Sequence, residues 1–365
     1  MATAAVLFLL VCSPEASKVD FRGGVAKRLR LLRHDSPAVR QRAARLLGHA
    51  HPDEVLAGLL VALKDPAPGV RREVAQALQR LSDERAVPFL ANRTRVETSP
   101  PVLAHLLIAL GRCGGAYVGG RITPFLEHPR RSVRTAAAAA LGHVGDAGQR
   151  DAMWAALRYA PDDPRFVVRS ALLTSFVTLQ WKKDVSKAID ELIEAGARRH
   201  WASRASIASS IGAAGLRGRA EYVRKEVHAD DDPRVVAAAA GALARLGHED
   251  EVFRLLQHPT AVVRRAALVA LHDVRDPRGV QEALRLIRQD PDVHVRFEAV
   301  LVLDAERHPE ADTYLLDALT SRNPLFWMSA VQALERRHGR ALGRDVEAWK
   351  AFLKETPHPP AGTQR

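Results

Sequence analysis

Apolar side chains recur along this chain with the period of a helix, and the helical pattern itself recurs about every thirty residues. In the stretch "GVRREVAQAL" (69–78) the apolar positions are Val70, Val74, Ala77 and Leu78. Offsets 0, +4, +7 and +8 from the leading Val form one helical stripe. Aligning the chain on that residue gives ten copies, anchored at Val39, Val70, Val102, Val133, Val168, Ser203, Val235, Val263, Val295 and Phe326. Eight residues after each anchor stands a large apolar side chain: Leu47, Leu78, Leu110, Leu141, Phe176, Ile211, Leu243, Leu271, Leu303 and Leu334. Offsets +4 and +7 are mostly small, as in Ala137 and Ala140 or Ala267 and Ala270, which lets neighbouring helices approach closely.

Upstream of each anchor lies another apolar helix, such as "DEVLAGLLVALK" from Asp53 or "EVFRLLQ" from Glu251. Nine of the ten joints carry a proline: Pro37, Pro66, Pro101, Pro129, Pro164, Pro233, Pro259, Pro291 and Pro324. Proline ends the first helix and suits the first turn of the second. Each repeat therefore predicts a helical hairpin that cannot bury its own apolar face, so the hairpins must stack on their neighbours. The expected fold is all-α, a right-handed α-solenoid of about ten hairpins over residues 25–344. An apolar segment (1–24) precedes it, and a capping helix (345–355, "DVEAWKAFLKE", with Trp349 and Phe352 turned inward) and a disordered tail (356–365) follow.

The residue after the anchor is Arg in seven copies: Arg40, Arg71, Arg134, Arg169, Arg204, Arg264 and Arg296. Asp35, Asp65, Asp163, Asp231 and Asp290 lie four or five residues before their anchors. Together these give "DxxxxVRxxAAxxLG", which resembles the HEAT repeat in the short form of phycobilisome-lyase-type proteins; "DSPAVRQRAARLLG" (35–48) is its closest match. The resemblance covers about residues 25 to 345 and implies an Asp–Arg ladder between adjacent repeats. On physical grounds, the Asp caps the second helix while the planar guanidinium bridges two repeats. Copies five and six depart from the pattern: they are longer, copy six begins with Ser203, and the region contains Trp181 and Trp201.

Composition agrees with this outline. Hydrophobic residues make up 47% and aromatics only 5%, so Ala and Leu supply the core, as close-packed helices require. The net charge of +12 would raise a polyanionic partner, but only nine of the 54 basic residues are Lys and the longest basic runs are pairs such as Lys182-Lys183. Two cysteines, Cys12 and Cys113, form neither a disulfide framework nor a C-x-x-C metal site. The apolar stretch Met1–Val11 is too short to span a bilayer. It resembles the core of a secretory signal, and Leu9-Leu10-Val11-Cys12 resembles a lipoprotein box with Val11 where a small residue is usual. Export to the cell envelope is therefore favoured over a cytoplasmic location, and a membrane would be met only through a lipid on Cys12.

Candidate chemistry is sparse. Deoxyhypusine hydroxylases on this fold place His-Glu pairs at offsets +2 and +3; the nearest approaches here are Arg72-Glu73, Ala104-His105 and Phe297-Glu298, and none of the ten copies has the pair. His34, His128 and His258 share one register, but belong to repeats one, four and eight and so cannot share an ion; a donor or cation at the end of the first helix is the expected role. Bilin lyases of this repeat class would find aromatic lining only in Tyr117, Trp154 and Tyr159. Alkylpurine glycosylases with HEAT-like repeats would find their Trp and Asp equivalents only in Trp181, Asp184 and Trp201. The glycine-rich "GRCGGAYVGG" (111–120) follows a helix and ends it, and does not cradle a phosphate. No catalytic residue, cofactor or metal is assigned.

Offsets +3 and +6 are expected to face solvent along the concave side. From Ala136 to Val269 they are small and weakly polar, which suits a protein or peptide better than a nucleic acid. The expectation is a non-catalytic interaction scaffold that grips a protein partner along repeats three to eight. The candidate contacts are His105, Ile108, Thr174, Trp181, Trp201 and Ser206.

Overall fold

The computed structural model describes residues 19–21, 24–159, 163, 166–196 and 199–355, apart from the side chains of 226–229. The apolar N-terminal segment with its lipoprotein-like box, Cys12, Pro164 and the C-terminal tail lie outside the described residues. All regular structure among the described residues is helical. The chain divides into two compact units, residues 1–203 and 204–365.

The first unit contains five helical pairs. They are α1 (Val25–Leu31) with α2 (Pro37–Leu47), α3 (Pro52–Ala62) with α4 (Pro68–Leu81), and α5 (Val87–Val96) with α6 (Pro100–Cys113). Next come α7 (Gly119–Ile122) with α8 (Arg131–Val144), and α9 (Ala147–Tyr159) with α10 (Val167–Thr178); α11 (Lys182–Glu194) follows. The division falls inside α12 (Trp201–Ala213). The second unit continues with α13 (Ala220–Ala229) and α14 (Pro233–Leu246), α15 (Glu249–Arg254) and α16 (Ala261–Asp273), and α17 (Arg278–Gln289) and α18 (Val293–Ala305). It ends with α19 (Ala311–Leu319), α20 (Pro324–His338) and α21 (Val346–Glu355).

Within the first unit α2 packs on α4, α4 on α6, α6 on α8 and α8 on α10; within the second, α14 packs on α16, α16 on α18 and α18 on α20. First helices lie against their own second helices, as α5 does on α6 and α19 on α20. Each unit is thus a run of α-solenoid, two helical layers deep. All ten anchors are buried, and all ten residues at +8 have no exposed surface.

Local chemistry sets the helix ends. Pro37, Pro68, Pro100, Pro233 and Pro324 open their second helices, where a missing N–H leaves nothing unsatisfied. Asp232, Asp292 and Asn323 accept hydrogen bonds from the first-turn amides of α14, α18 and α20. Two first helices depart from the expected regular form. In repeat four α7 is a single turn between 3-10 segments at Ala116–Val118 and Thr123–Glu127. In repeat eight "EVFRLLQ" is α-helical only to Arg254 and tightens to 3-10 over Leu255–Gln257, which buries both Leu255 and Leu256 before the turn at His258.

In four repeats offset +9 is a glycine that closely faces offset +7 of the next repeat. A Cβ placed on Gly48 would lie 2.8 Å from the Ala77 Cα, and one on Gly111 would lie 2.7 Å from the Ala140 carbonyl oxygen. One on Gly142 would lie 2.8 Å from the Ser175 hydroxyl, and one on Gly212 2.8 Å from the Ala242 Cβ. Only glycine permits this approach, and Ser175 closes its own contact by donating to the Ala138 carbonyl at 2.7 Å. No helix among the described residues is long and apolar enough to cross a membrane.

Candidate functional site

In eight repeats the side chain five residues before the anchor accepts a hydrogen bond from the amide two residues on; in the sixth repeat that position, Arg198, lies outside the described residues. Asp65, Glu97, Asp230 and Asp290 do so with a carboxylate oxygen, at 2.8–3.0 Å. Ser321 uses its hydroxyl. His34, His128 and His258 use Nδ1, at 3.0–3.1 Å. These histidines are therefore turn acceptors, and the expected donor or cation role is corrected: an amide N–H pointing at Nδ1 needs its lone pair. In repeat five Asp163 caps α10 instead, accepting from the amides of Val167, Val168 and Arg169.

The arginine after the anchor reads the same turn. Nη1 of Arg40, Arg71, Arg134, Arg264 and Arg296 donates to the two carbonyls five and four residues before the anchor, those of His34 and Asp35 in the first repeat. Nε and Nη2 are then free to reach the next repeat's acid. Arg40 binds Asp65 in this way (2.6 and 3.0 Å), Arg71 binds Glu97 (2.8 and 2.8 Å) and Arg264 binds Asp290 (2.8 and 2.8 Å). Arg204 binds Asp230 through the same two nitrogens, at 2.5 and 2.9 Å.

Three details were not readable from the Asp spacing. Glu97 serves where no Asp occurs. Asp230 serves in place of Asp231, because the site lies five residues before the anchor and Asp231 only four. Asp35 contributes its carbonyl, with no carboxylate contact to Arg40. Arg169 departs from the set: its Nε donates to the Leu157 carbonyl at 2.7 Å and its guanidinium lies 5.1 Å from the Phe166 ring centroid.

Glu97 is the most perturbed carboxylate. Burial opposes its charge, but hydrogen bonds from Arg71, the Ser99 amide and Arg93 outweigh it and hold its pKa down to about 2. Burial pushes the Cys113 thiol up to about 11.

Of the twenty +3 and +6 positions expected to face solvent, eighteen are half-buried or exposed, and two, Glu73 and Ala136, both at +3, are buried. The cause is the close helix spacing, which lays +6 of one repeat on +3 of the next. Arg45 grips Glu73 with two bonds (3.2 and 2.9 Å), and Gln76 meets His105 at 3.2 Å between side-chain nitrogens. Burial and the neighbouring Arg72 lower the His105 pKa. Of the candidate contacts, His105, Ile108, Trp181 and Ser206 are half-buried, whereas Thr174 and Trp201 are exposed. Trp181 packs against Phe176, with ring centroids 5.8 Å apart.

Asp184 is fully engaged on one oxygen, accepting from Trp154 Nε1 at 2.8 Å and from two nitrogens of Arg150 at 3.1 and 2.7 Å. Trp154 is buried while Tyr117 and Tyr159 are exposed. Trp154 and Tyr159 line one groove, and Tyr117 is not part of its lining. Among the described residues no group of three or more His, Cys, Asp or Glu side chains is placed to hold a metal ion.

The family profile described as HEAT repeats matches residues 25–111 and 251–335. Phycocyanobilin lyase subunit alpha of Nostoc sp. (strain PCC 7120) is 35% identical over 114 residues, covering 28% of this chain and 41% of the relative. The chain thus spans under half the length of that relative. Among solved structures, human deoxyhypusine hydroxylase in complex with glycerol is 18% identical, with 69% of this chain and 96% of that chain covered and a TM-score of 0.32. The Kap95:Nup1 complex is 12% identical, with 91% and 57% covered and a TM-score of 0.47. The repeated helical pairs, the arginine after seven of the ten anchors and the sequence matches agree: the chain carries HEAT repeats over residues 25–111 and 251–335, and part of it is similar to a phycocyanobilin lyase subunit.

Proposed function

We propose that the protein is a non-catalytic scaffold that holds a protein or peptide partner on the second-helix face of its repeats. The supporting observation is how that face is built. Its strongly polar members in the first unit are spent on register, Arg45 on Glu73 and Gln76 on His105. What α8 and α10 then offer at +6 and +3 is Ala139, Ala171 and the exposed Thr174, at a fixed helix spacing. A row of small side chains lets a partner's side chains seat between helices, and the absence of several successive cations on these helices disfavours a phosphate backbone. Where chemistry would first be sought, at Asp184, the carboxylate is tied to Trp154 and Arg150 in a structural role.

A photo-crosslinking amino acid placed at Thr174, compared with one at the exposed Glu54 of α3 in the first-helix layer, tests this reading in the full-length chain. Cross-links to a discrete partner from position 174 and not from 54 are expected. Cross-links confined to 54, or submicromolar affinity for duplex DNA at physiological ionic strength with a steep salt dependence, would overturn it.

A further inference from the structure

A groove of about 430 Å³ lies in the first-helix layer of the first unit, between α9 and α11, lined chiefly by Arg150, Trp154, Arg158, Tyr159, Lys183 and Lys187. The two helices are tied across it by long side chains: Arg150 to Asp184 and Arg158 to Glu191, each at 2.7 Å. These pairs neutralise the arginines but leave both guanidinium groups about half exposed. Lys183 and Lys187, one helical turn apart, are exposed and tie to no carboxylate across the groove among the described residues. The chain has only nine lysines, and three of them fall in the six residues 182–187.

The floor of the groove is aromatic. The Lys187 ammonium stands 5.0 Å and the Arg158 guanidinium 5.3 Å from the Trp154 ring. Tyr159, 79% exposed, lies at the wall, and an adjoining depression extends the surface past Lys182 to Trp181.

We propose that this groove binds a short acidic segment of a partner protein, its carboxylates on Lys183, Lys187 and the exposed edge of Arg150, and an aromatic or aliphatic side chain against Trp154 and Tyr159. Charge complementarity selects carboxylates. The shortness of the basic surface selects a peptide: the cations are confined to one pair of first helices, and Asp151 and Glu191 at the rim interrupt any continuous anionic backbone. The exposed Tyr159 ring beside these cations, over the accessible edge of the largely buried Trp154, supplies the apolar anchor that binding of a short motif needs. None of these residues belongs to the second-helix face, so this proposal and the scaffold reading fail independently.

The test is fluorescence anisotropy of a labelled Glu-Asp-Phe-Glu-Asp-Phe peptide with the full-length protein. Saturable binding is expected, weakened about tenfold by Lys183→Glu/Lys187→Glu through reversal of two rim charges. It should be retained in Lys183→Arg/Lys187→Arg, reduced by Tyr159→Ala and unchanged by Thr174→Arg. Both lysines are exposed, and an unchanged circular dichroism spectrum verifies that the reversed variant is folded. The proposal is overturned by absence of binding, by equal binding of the charge-reversed protein, by equal binding of the neutral Gln-Asn-Phe-Gln-Asn-Phe peptide, or by displacement of the acidic peptide by lower concentrations of oligothymidylate.

Discussion

Two glycines of the second unit, Gly212 and Gly241, isolate the close helix contact that a glycine at offset +9 makes. Both have helical backbone, and in each a substitution to Ala gains about 0.5–1 kcal/mol from helix propensity alone. Their surroundings differ. A Cβ on Gly212 would meet the Ala242 Cα, lie 2.8 Å from the Ala242 Cβ and 3.2 Å from its carbonyl oxygen. That neighbour is mostly backbone and cannot rotate away, so the helices must separate, at a cost of about 1–3 kcal/mol. A Cβ on Gly241 has only the flexible Arg245 Nη1 near it, at 3.8 Å. The propensity contribution largely cancels in the comparison, so Gly212→Ala should be less stable than Gly241→Ala by about 1–3 kcal/mol, and Gly241→Ala should exceed the parent protein. Urea denaturation of both variants, followed by circular dichroism, measures the difference. If Gly212→Ala proves as stable as Gly241→Ala, the glycine at offset +9 is not what permits the close approach of these two helices.

The ladder carboxylate Glu97 makes acid stability specific. Its pKa of about 2 in the folded chain lies below the unfolded value of about 4.3, so its contribution, on the order of 3 kcal/mol, is complete above pH ~4.3 and disappears as pH falls through ~2. The stability difference between the parent protein and Glu97→Gln should therefore shrink across that window in pH-resolved urea titrations, and a constant difference down to pH ~2 refutes the assignment. Cys113, buried and with its thiol pKa near 11, should not react with a disulfide reagent at neutral pH in a Cys12→Ser background until the protein unfolds; prompt reaction in the native state would contradict its placement. Arg307 follows α18 with φ of +52°, where the next repeat has Gly339 at +65°. Arg307→Gly should raise stability by roughly 0.5–1 kcal/mol, since relief of the left-handed strain exceeds the added chain entropy, and a lowered melting temperature would argue against it.

What the sequence discloses here depends on whether a residue's role is fixed inside its own repeat. Anchors and +8 positions are, because a 3.6-residue period allows one buried stripe. All twenty are buried, Ser203 and Phe326 among them, although neither matches the consensus Val. Roles shared between repeats are written in two places at once. In four repeats the position five before the anchor holds an acid that pairs with the Arg of the preceding repeat, as at Arg40 with Asp65, Arg71 with Glu97, Arg204 with Asp230 and Arg264 with Asp290, whereas Arg296 is followed by Ser321. Where the preceding repeat carries Leu103 or Val236 the same position is His128 or His258, which satisfies the turn amide and asks for no cation. A consensus built from single repeats counts those histidines as departures and overlooks Glu97, whereas reading the two positions jointly makes both follow from charge balance: a buried carboxylate needs the neighbour's guanidinium, and without it a neutral acceptor is the more stable choice. The buried exception Glu73 on the +3 and +6 face is hidden from a single repeat for the same reason. Whether Glu73 meets solvent is decided by Arg45 in the preceding repeat and by the glycine spacing that brings the two helices together, and no single helix contains that information.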